Sequence, residues 1–248
     1  MSLQGKNVII AGGAKNLGGL LSRTLAEQGA NIAVHYNSAA TAEAAAETVD
    51  SVTANGVRAL SIQGDLTRPD VVTEVFDTAA RELGGLDIAI NTAGKVLRKP
   101  IVETTEAEYD SMLDINAKAA YFFIKEAALH LEDNGKIVTI VTALLAAFTD
   151  GYSTYAGGKA TVEHFTRAAA KELADRGISV NAVAPGPMDT PFFYGQETDE
   201  RVQFHKSQAM GNQLTKIENI APIVEFLVDQ GWWITGQTIF ANGGYTTR

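Results

Sequence analysis

Short apolar runs alternate with longer amphipathic stretches along the whole chain. The first run, Asn7-Val8-Ile9-Ile10-Ala11, is apolar almost throughout and predicts a strand covered on both faces. A glycine-rich segment, residues 12–19, follows it directly. Across residues 20–28 apolar positions recur at helical spacing and stop at Gly29, a residue suited to closing a helix. The alternation then repeats. Strands are expected at residues 31–36, 59–62, 87–90, 136–142, 178–184 and 238–241. Helices are expected at 41–53, along the stripe Val71, Val72, Val75, Phe76, Ala79 and Leu83, at about 105–131, and through Tyr155 and Lys159. Two segments read as capping boxes that open helices, Thr105-Glu106-Ala107-Glu108 and Thr215-Lys216-Ile217-Glu218. Pro222 should kink the second of these helices or mark its true start.

Apolar strands alternating with helices specify an α/β fold with a doubly wound, mostly parallel sheet. No repeat, linker or low-complexity run interrupts the pattern, so residues 1–248 are expected to form one domain. Residues 187–214 stand apart as a long irregular stretch holding Phe192, Phe193, Tyr194 and Met210. A stretch that long inside a compact domain is usually functional, so it is expected to be a substrate loop or lid.

Composition narrows the function. The chain has no cysteine, which excludes disulfides and thiolate metal sites and fits a reducing, cytoplasmic setting. His35, His130, His164 and His205 are scattered without metal-ligand spacing. A formal charge of −9 argues against nucleic acid or an anionic membrane as partner. No apolar run is long enough to span a bilayer, and the polar start reads as neither signal peptide nor anchor.

Two stretches carry candidate chemistry. In the first, a strand runs into Gly12-Gly13-Ala14-Lys15-Asn16-Leu17-Gly18-Gly19 and then a helix, the layout of a pyrophosphate-binding βα unit. Gly19-Leu20 follows Gly18 where a Walker A loop needs Lys and Ser or Thr, so that reading fails. The second stretch is Tyr155-Ala156-Gly157-Gly158-Lys159. A tyrosine and a lysine four apart share one helix face. An ammonium beside a phenol favours the phenolate, and a shift of about three units corresponds to about 4 kcal/mol. The same pair also fits a surface tyrosine beside a snorkelling lysine, so its neighbours must decide.

Taken together, these stretches resemble the short-chain dehydrogenase/reductase family in its small single-domain form. The likeness extends from the Gly12 loop to Asn242-Gly243-Gly244. It implies a Rossmann-like sheet of about seven parallel strands with helices on both faces. It also implies hydride transfer between a nicotinamide cofactor and a small carbonyl or secondary alcohol. The family's catalytic set falls on Asn116, Thr142, Tyr155 and Lys159. By resemblance Tyr155 exchanges the proton, and Lys159 lowers its pKa and holds the nicotinamide ribose. Thr142 orients the carbonyl, and Asn116 holds a relay water. The cofactor set falls on Gly12, Lys15, Asn16, Leu17, Gly18, Tyr36, Asn37, Ser38, Asp65, Leu66, Asn91, Ala93, Gly94, Pro185, Gly186 and Thr190, with Tyr155 and Lys159 shared. Leu144, Tyr152, Met188, Phe192 and Phe193 are the expected substrate wall. Homotetramers or homodimers are expected through the helices from Thr105 and Ser153, which carry apolar residues on more than one side.

Four positions depart from the family pattern: Ala11, Asn16, Thr92 and Thr142. Asn16 stands where the loop has its middle glycine, and asparagine tolerates a left-handed backbone. Thr142 replaces serine but keeps the hydroxyl. No acid occurs between residues 31 and 42, where an NAD-binding acid belongs, and Lys15 sits in the loop. NADP(H) is therefore expected over NAD(H). Alternatives are a non-catalytic dinucleotide-binding sensor or scaffold, a serine hydrolase begun at Gly151-Tyr152-Ser153 but lacking its second glycine, and a sugar epimerase, which usually carries a larger C-terminal region.

Overall fold

Seven strands build one sheet: β1 (Asn7–Ala11), β2 (Asn31–Tyr36), β3 (Ala59–Gln63), β4 (Leu86–Asn91), β5 (Leu131–Ile140), β6 (Ser179–Pro185) and β7 (Thr238–Ala241). The computed structural model describes residues 2–147 and 149–247; Met1, Phe148 and Arg248 lie outside the described residues. All pairings are parallel, and the strand order is β3-β2-β1-β4-β5-β6-β7. The order reverses between β1 and β4, which opens a crevice at their C-terminal ends.

The apolar strands explain the layering. In β1, Val8 and Ile10 join the core cluster that also holds Leu21 and Leu25 of α1 (Asn16–Glu27) and Val224 and Leu227 of α9 (Ile217–Val228). Ile9 and Ala11 point to the other cluster, with Val72 and Phe76 of α3 (Pro69–Leu83) and Phe123 of α5 (Ala119–His130). Phe76 and Phe123 meet edge to face with ring centres 5.0 Å apart, a geometry worth about 1 kcal/mol beyond burial.

The remaining helices are α2 (Ala42–Thr53), α4 (Glu106–Leu113), α6 (Ser153–Glu172), α7 (Pro191–Tyr194) and α8 (Asp199–Ser207). α1 begins at Asn16, four residues before its expected start, so its first turn belongs to the glycine loop. The Thr105–Glu108 capping box forms as expected. The second does not: Lys216 is the N-cap, and its N–H donates to Asn219 Oδ1 at 2.9 Å. Helix α9 runs through Pro222, so the proline does not mark its start. Residues 187–214 are not irregular either, because they contain α7, α8 and a 3₁₀ turn, Met210–Asn212.

The expected long helix from Thr105 holds a π turn, Asp114–Lys118, between α4 and α5. Ala119, Ala120, Phe123, Ala169 and Ala170 are buried within this chain. Phe122 and Phe165 on the same helices are half-buried, and Ala168 is exposed. Among the described residues no helix is long and apolar enough to cross a membrane.

Candidate active site

A cleft of about 880 Å³ opens at the β1/β4 switch point. The glycine loop forms one wall. Gly12 has φ +71°, and a Cβ on Gly18 would lie 2.2 Å from the Gly12 carbonyl oxygen, so close packing there requires glycine. Asn16 takes φ +50°, the left-handed backbone that asparagine tolerates, and then starts α1. Lys15, Asn16, Leu17 and Gly18 all line the cleft at the helix N-terminus, where free N–H groups favour an anion.

The loop is held from behind. His35 Nδ1 accepts the Gly12 N–H at 3.2 Å, so its Nε2 carries the hydrogen and donates to the Gly64 carbonyl at 2.8 Å. Burial lowers the His35 pKa, which keeps this neutral arrangement. Thr48 donates to the Ala14 carbonyl at 2.8 Å, and Thr92 to the Ala11 carbonyl at 2.8 Å. Thr92 therefore replaces an amide without leaving the turn loose.

Deeper in the cleft lie Ala93, Gly94, Tyr155, Lys159, Met188, Thr190 and Phe192. Helix α6 brings Tyr155 and Lys159 to one buried face. Lys159 Nζ donates to the Ile140 carbonyl at 2.9 Å and reaches the Ala93 carbonyl at 3.4 Å. Burial lowers its pKa to about 8. Burial pushes the Tyr155 phenol up to about 12, and the Thr142 hydroxyl beside it works the other way. This corrects the expected lowering by Lys159, whose ammonium is turned onto two backbone carbonyls. Thr142 sits just past β5, and its Oγ1 accepts the Leu144 N–H at 3.2 Å, which fixes the side chain.

Asn116 lies in the π turn and is fully buried. Its Oδ1 accepts the Lys95 N–H at 3.2 Å, and its Nδ2 donates to the Lys95 and Met112 carbonyls at 2.8 and 3.0 Å. Both Nδ2 hydrogens are spent in this way, so the side chain has no donor left for a relay water. A Cβ on Gly94 would come within 3.0 Å of Asn116 Oδ1 and 3.2 Å of Lys159 Nζ, which ties the three residues into one knot.

A smaller cavity of about 80 Å³ lies against Thr142 and Tyr155. All five expected substrate-wall residues, Leu144, Tyr152, Met188, Phe192 and Phe193, line it, as do Pro185 and Gly186. Thr190 borders both cavities.

Other expected residues divide. Tyr36, Asn37, Asp65 and Leu66 line the large cleft. Ser38 does not; it is the N-cap of a 3₁₀ turn, and Thr41 at the end of that turn reaches the cleft instead. Asn91 is buried behind the wall, where its Oδ1 accepts the Ala93 N–H at 3.0 Å and shapes the turn.

These residues suit a dinucleotide on two counts besides the glycine cradle. Thr190 Oγ1 is buried and has no hydrogen-bond partner among the described residues, so a polar ligand group would satisfy it. Lys15 is exposed on the cleft rim and makes no ion pair among the described residues.

Comparison with known proteins agrees. A family model described as enoyl-(acyl carrier protein) reductase matches residues 12–246. A short-chain type dehydrogenase/reductase of Picea abies is 34% identical over 254 residues, covering 98% of this chain and 93% of that protein. A hydroxynaphthalene reductase-like protein of Metarhizium brunneum is 34% identical over 261 residues, covering 99% and 97%. A crystal structure of a Burkholderia cenocepacia protein with bound NADP superposes with a TM-score of 0.98 at 57% identity, covering 100% of this chain and 96% of that one. The chain belongs to the short-chain dehydrogenase/reductase family. It is an oxidoreductase of that family.

Several wall residues of this dehydrogenase/reductase were not legible in its sequence. His35 is one, since nothing in a strand sequence says that its ring will hold a loop 23 positions earlier. Gln196, Glu197, His205 and Tyr245 also line the smaller cavity, and they come from α8, the loop before it and the C-terminal segment. Only the composition of residues 187–214 hinted that this stretch mattered.

Proposed function

We propose that the protein reduces a ketone or aldehyde with NADPH, and oxidises the alcohol in reverse, within one domain whose residues 187–214 form the substrate lid. The observation that carries this reading is the buried triad of Tyr155, Thr142 and Lys159 at the junction of the two cavities. When bound, the nicotinamide supplies the hydride. The protein's own groups handle the proton and the geometry. With its pKa held up near 12 by burial, the Tyr155 phenol stays protonated at neutral pH and donates to the substrate carbonyl oxygen. Thr142 offers a second hydroxyl to the same oxygen and stabilises the charge that develops there. Lys159, on the same buried helix face, offers a cation to the expected ribose position. Asn116 positions the Lys95 loop next to it. The Thr190 hydroxyl, lacking a protein partner, is available for the carboxamide.

A panel of ketones, aldehydes, a 3-oxoacyl thioester and an enoyl thioester, assayed with NADPH and NADH, tests the reading. NADPH oxidation with a carbonyl compound is expected. Turnover of the enoyl thioester alone would move the chemistry to a carbon–carbon double bond. Cofactor binding without any turnover would favour a dinucleotide sensor.

The cofactor preference rests on Lys15, Asn37 and Thr41 around the corner where a 2′-phosphate would lie. A charge-assisted hydrogen bond is worth about 1.5–3 kcal/mol, with exposed groups at the low end. Lys15→Ala is therefore expected to weaken NADPH binding about tenfold and NADH binding little. Titrating both cofactors by fluorescence decides this; equal weakening of the two would remove the 2′-phosphate assignment.

A further inference from the structure

The smaller cavity ends against a charged cluster gathered from four separate stretches of chain. Glu197 is its centre: it lines the cavity, and its side chain has no exposed surface. Tyr152 donates its hydroxyl hydrogen to Glu197 Oε1, and His205 Nε2 reaches the same oxygen at 3.2 Å. Arg201 Nε donates to Oε2 at 3.0 Å, and Arg98 Nε lies 3.9 Å from it. Both guanidiniums also hold Asp150, at 3.0 and 2.9 Å. Beyond the imidazole, the Tyr245 hydroxyl lies 2.9 Å from His205 Nδ1.

Nε2 of His205 faces Glu197 Oε1, and Nδ1 faces the Tyr245 hydroxyl. Burial opposes protonation of the imidazole, against the pull of Glu197. Arg98 and Arg201 divide their charge between Glu197 and the outer Asp150, and neither lines the cavity. Glu197 is the acidic side chain among the described lining residues, on a wall that also holds Val96, Leu144, Phe192, Phe193 and His205.

We infer that Glu197 is a specificity-determining residue that makes the site accept uncharged carbonyl compounds and reject those whose tail carries a carboxylate. The inference rests on the carbonyl-reducing reading of the same site. An anionic tail entering this cavity would lose its water and meet the Glu197 carboxyl, while both guanidiniums that balance it lie behind the wall. A neutral tail meets largely apolar walls and the unpartnered Thr190 hydroxyl. Discrimination of this kind comes from the repulsive element and not from a new attraction.

The test uses methyl 4-oxopentanoate and 4-oxopentanoate, which differ at the tail by one charge. With NADPH, kcat/KM is expected to favour the ester by about tenfold or more in wild type. Glu197→Gln, which keeps an oxygen for the Tyr152 hydroxyl, should collapse that ratio, whereas Tyr152→Phe, which keeps the carboxylate, should preserve it. Calorimetric binding of both probes to the protein saturated with NADP⁺ gives the same ratio without turnover. If neither probe is reduced, the carbonyl reading fails, and the calorimetric ratio still judges Glu197. Equal handling of ester and acid by wild type, or an unchanged ratio in Glu197→Gln, overturns the inference.

Discussion

Replacing Tyr155 with phenylalanine should lower turnover by about 10² or more while NADPH still binds. The ring itself is not at issue. It packs against Tyr152 and Phe192 with centres 6.3 and 6.2 Å away, and phenylalanine keeps both contacts. What disappears is the hydroxyl, the group proposed to deliver the proton. Thr142 remains to orient the carbonyl oxygen, so some catalysis should persist through positioning alone. The deleted oxygen is buried with a single neutral partner, so stability should change by only about 1 kcal/mol. Single-turnover NADPH oxidation, cofactor titration and a melting curve on the same preparation separate these effects. Wild-type turnover in the variant would take Tyr155 out of the chemistry.

Much of this arrangement is legible in the sequence, and the reasons are local. A buried parallel strand must be apolar on both faces, so β1, β2 and β4 announce themselves. Tyr155 and Lys159 need only one turn of helix to meet. The failures also have physical causes. The π turn at Asn116 leaves no mark in a pattern of helix formers, because it shifts hydrogen-bond partners and not residue types. The α9 cap moved by one residue because an asparagine at the third helical position accepts a backbone N–H as well as the expected glutamate would. Ser38 gave way to Thr41 because a 3₁₀ turn rotates the chain between them. Spacing predicts a lowered Tyr155 pKa because it brings a lysine near, but it does not say where the ammonium points. Here Lys159 spends its donors on Ile140 and Ala93. Glu197, His205 and Tyr245 converge through tertiary packing, which no short-range pattern encodes.

Lys159→Met should abolish most activity and yet raise the stability of the cofactor-free protein at neutral pH. Burial lowers the Lys159 pKa from 10.5 to about 8. A folded state with a depressed pKa holds its proton less tightly than the unfolded chain does. Stability from this group is therefore fully present only above about 10.5 and is lost as pH falls through about 8. At pH 7 the burial of the charged form costs about 3 kcal/mol on that difference. Methionine removes the charge and fills similar space. It also leaves the Ile140 and Ala93 carbonyls without their donor, at about 1 kcal/mol each. The net gain is about 1 kcal/mol, a rise in Tm of about 2–4 °C for a protein of this size. The gain should shrink as pH rises from 7 toward 10, because the wild-type lysine then sheds its proton in the folded state. Melting curves of both proteins across that range read out the difference. A variant less stable than wild type by the same margin at every pH would show that Lys159 carries no burial penalty. Turnover should meanwhile fall by about 10² or more, since the cation proposed to hold the nicotinamide ribose is gone. A residue that lowers stability and is kept for its charge is what the stability–activity trade-off leads one to expect at a working site.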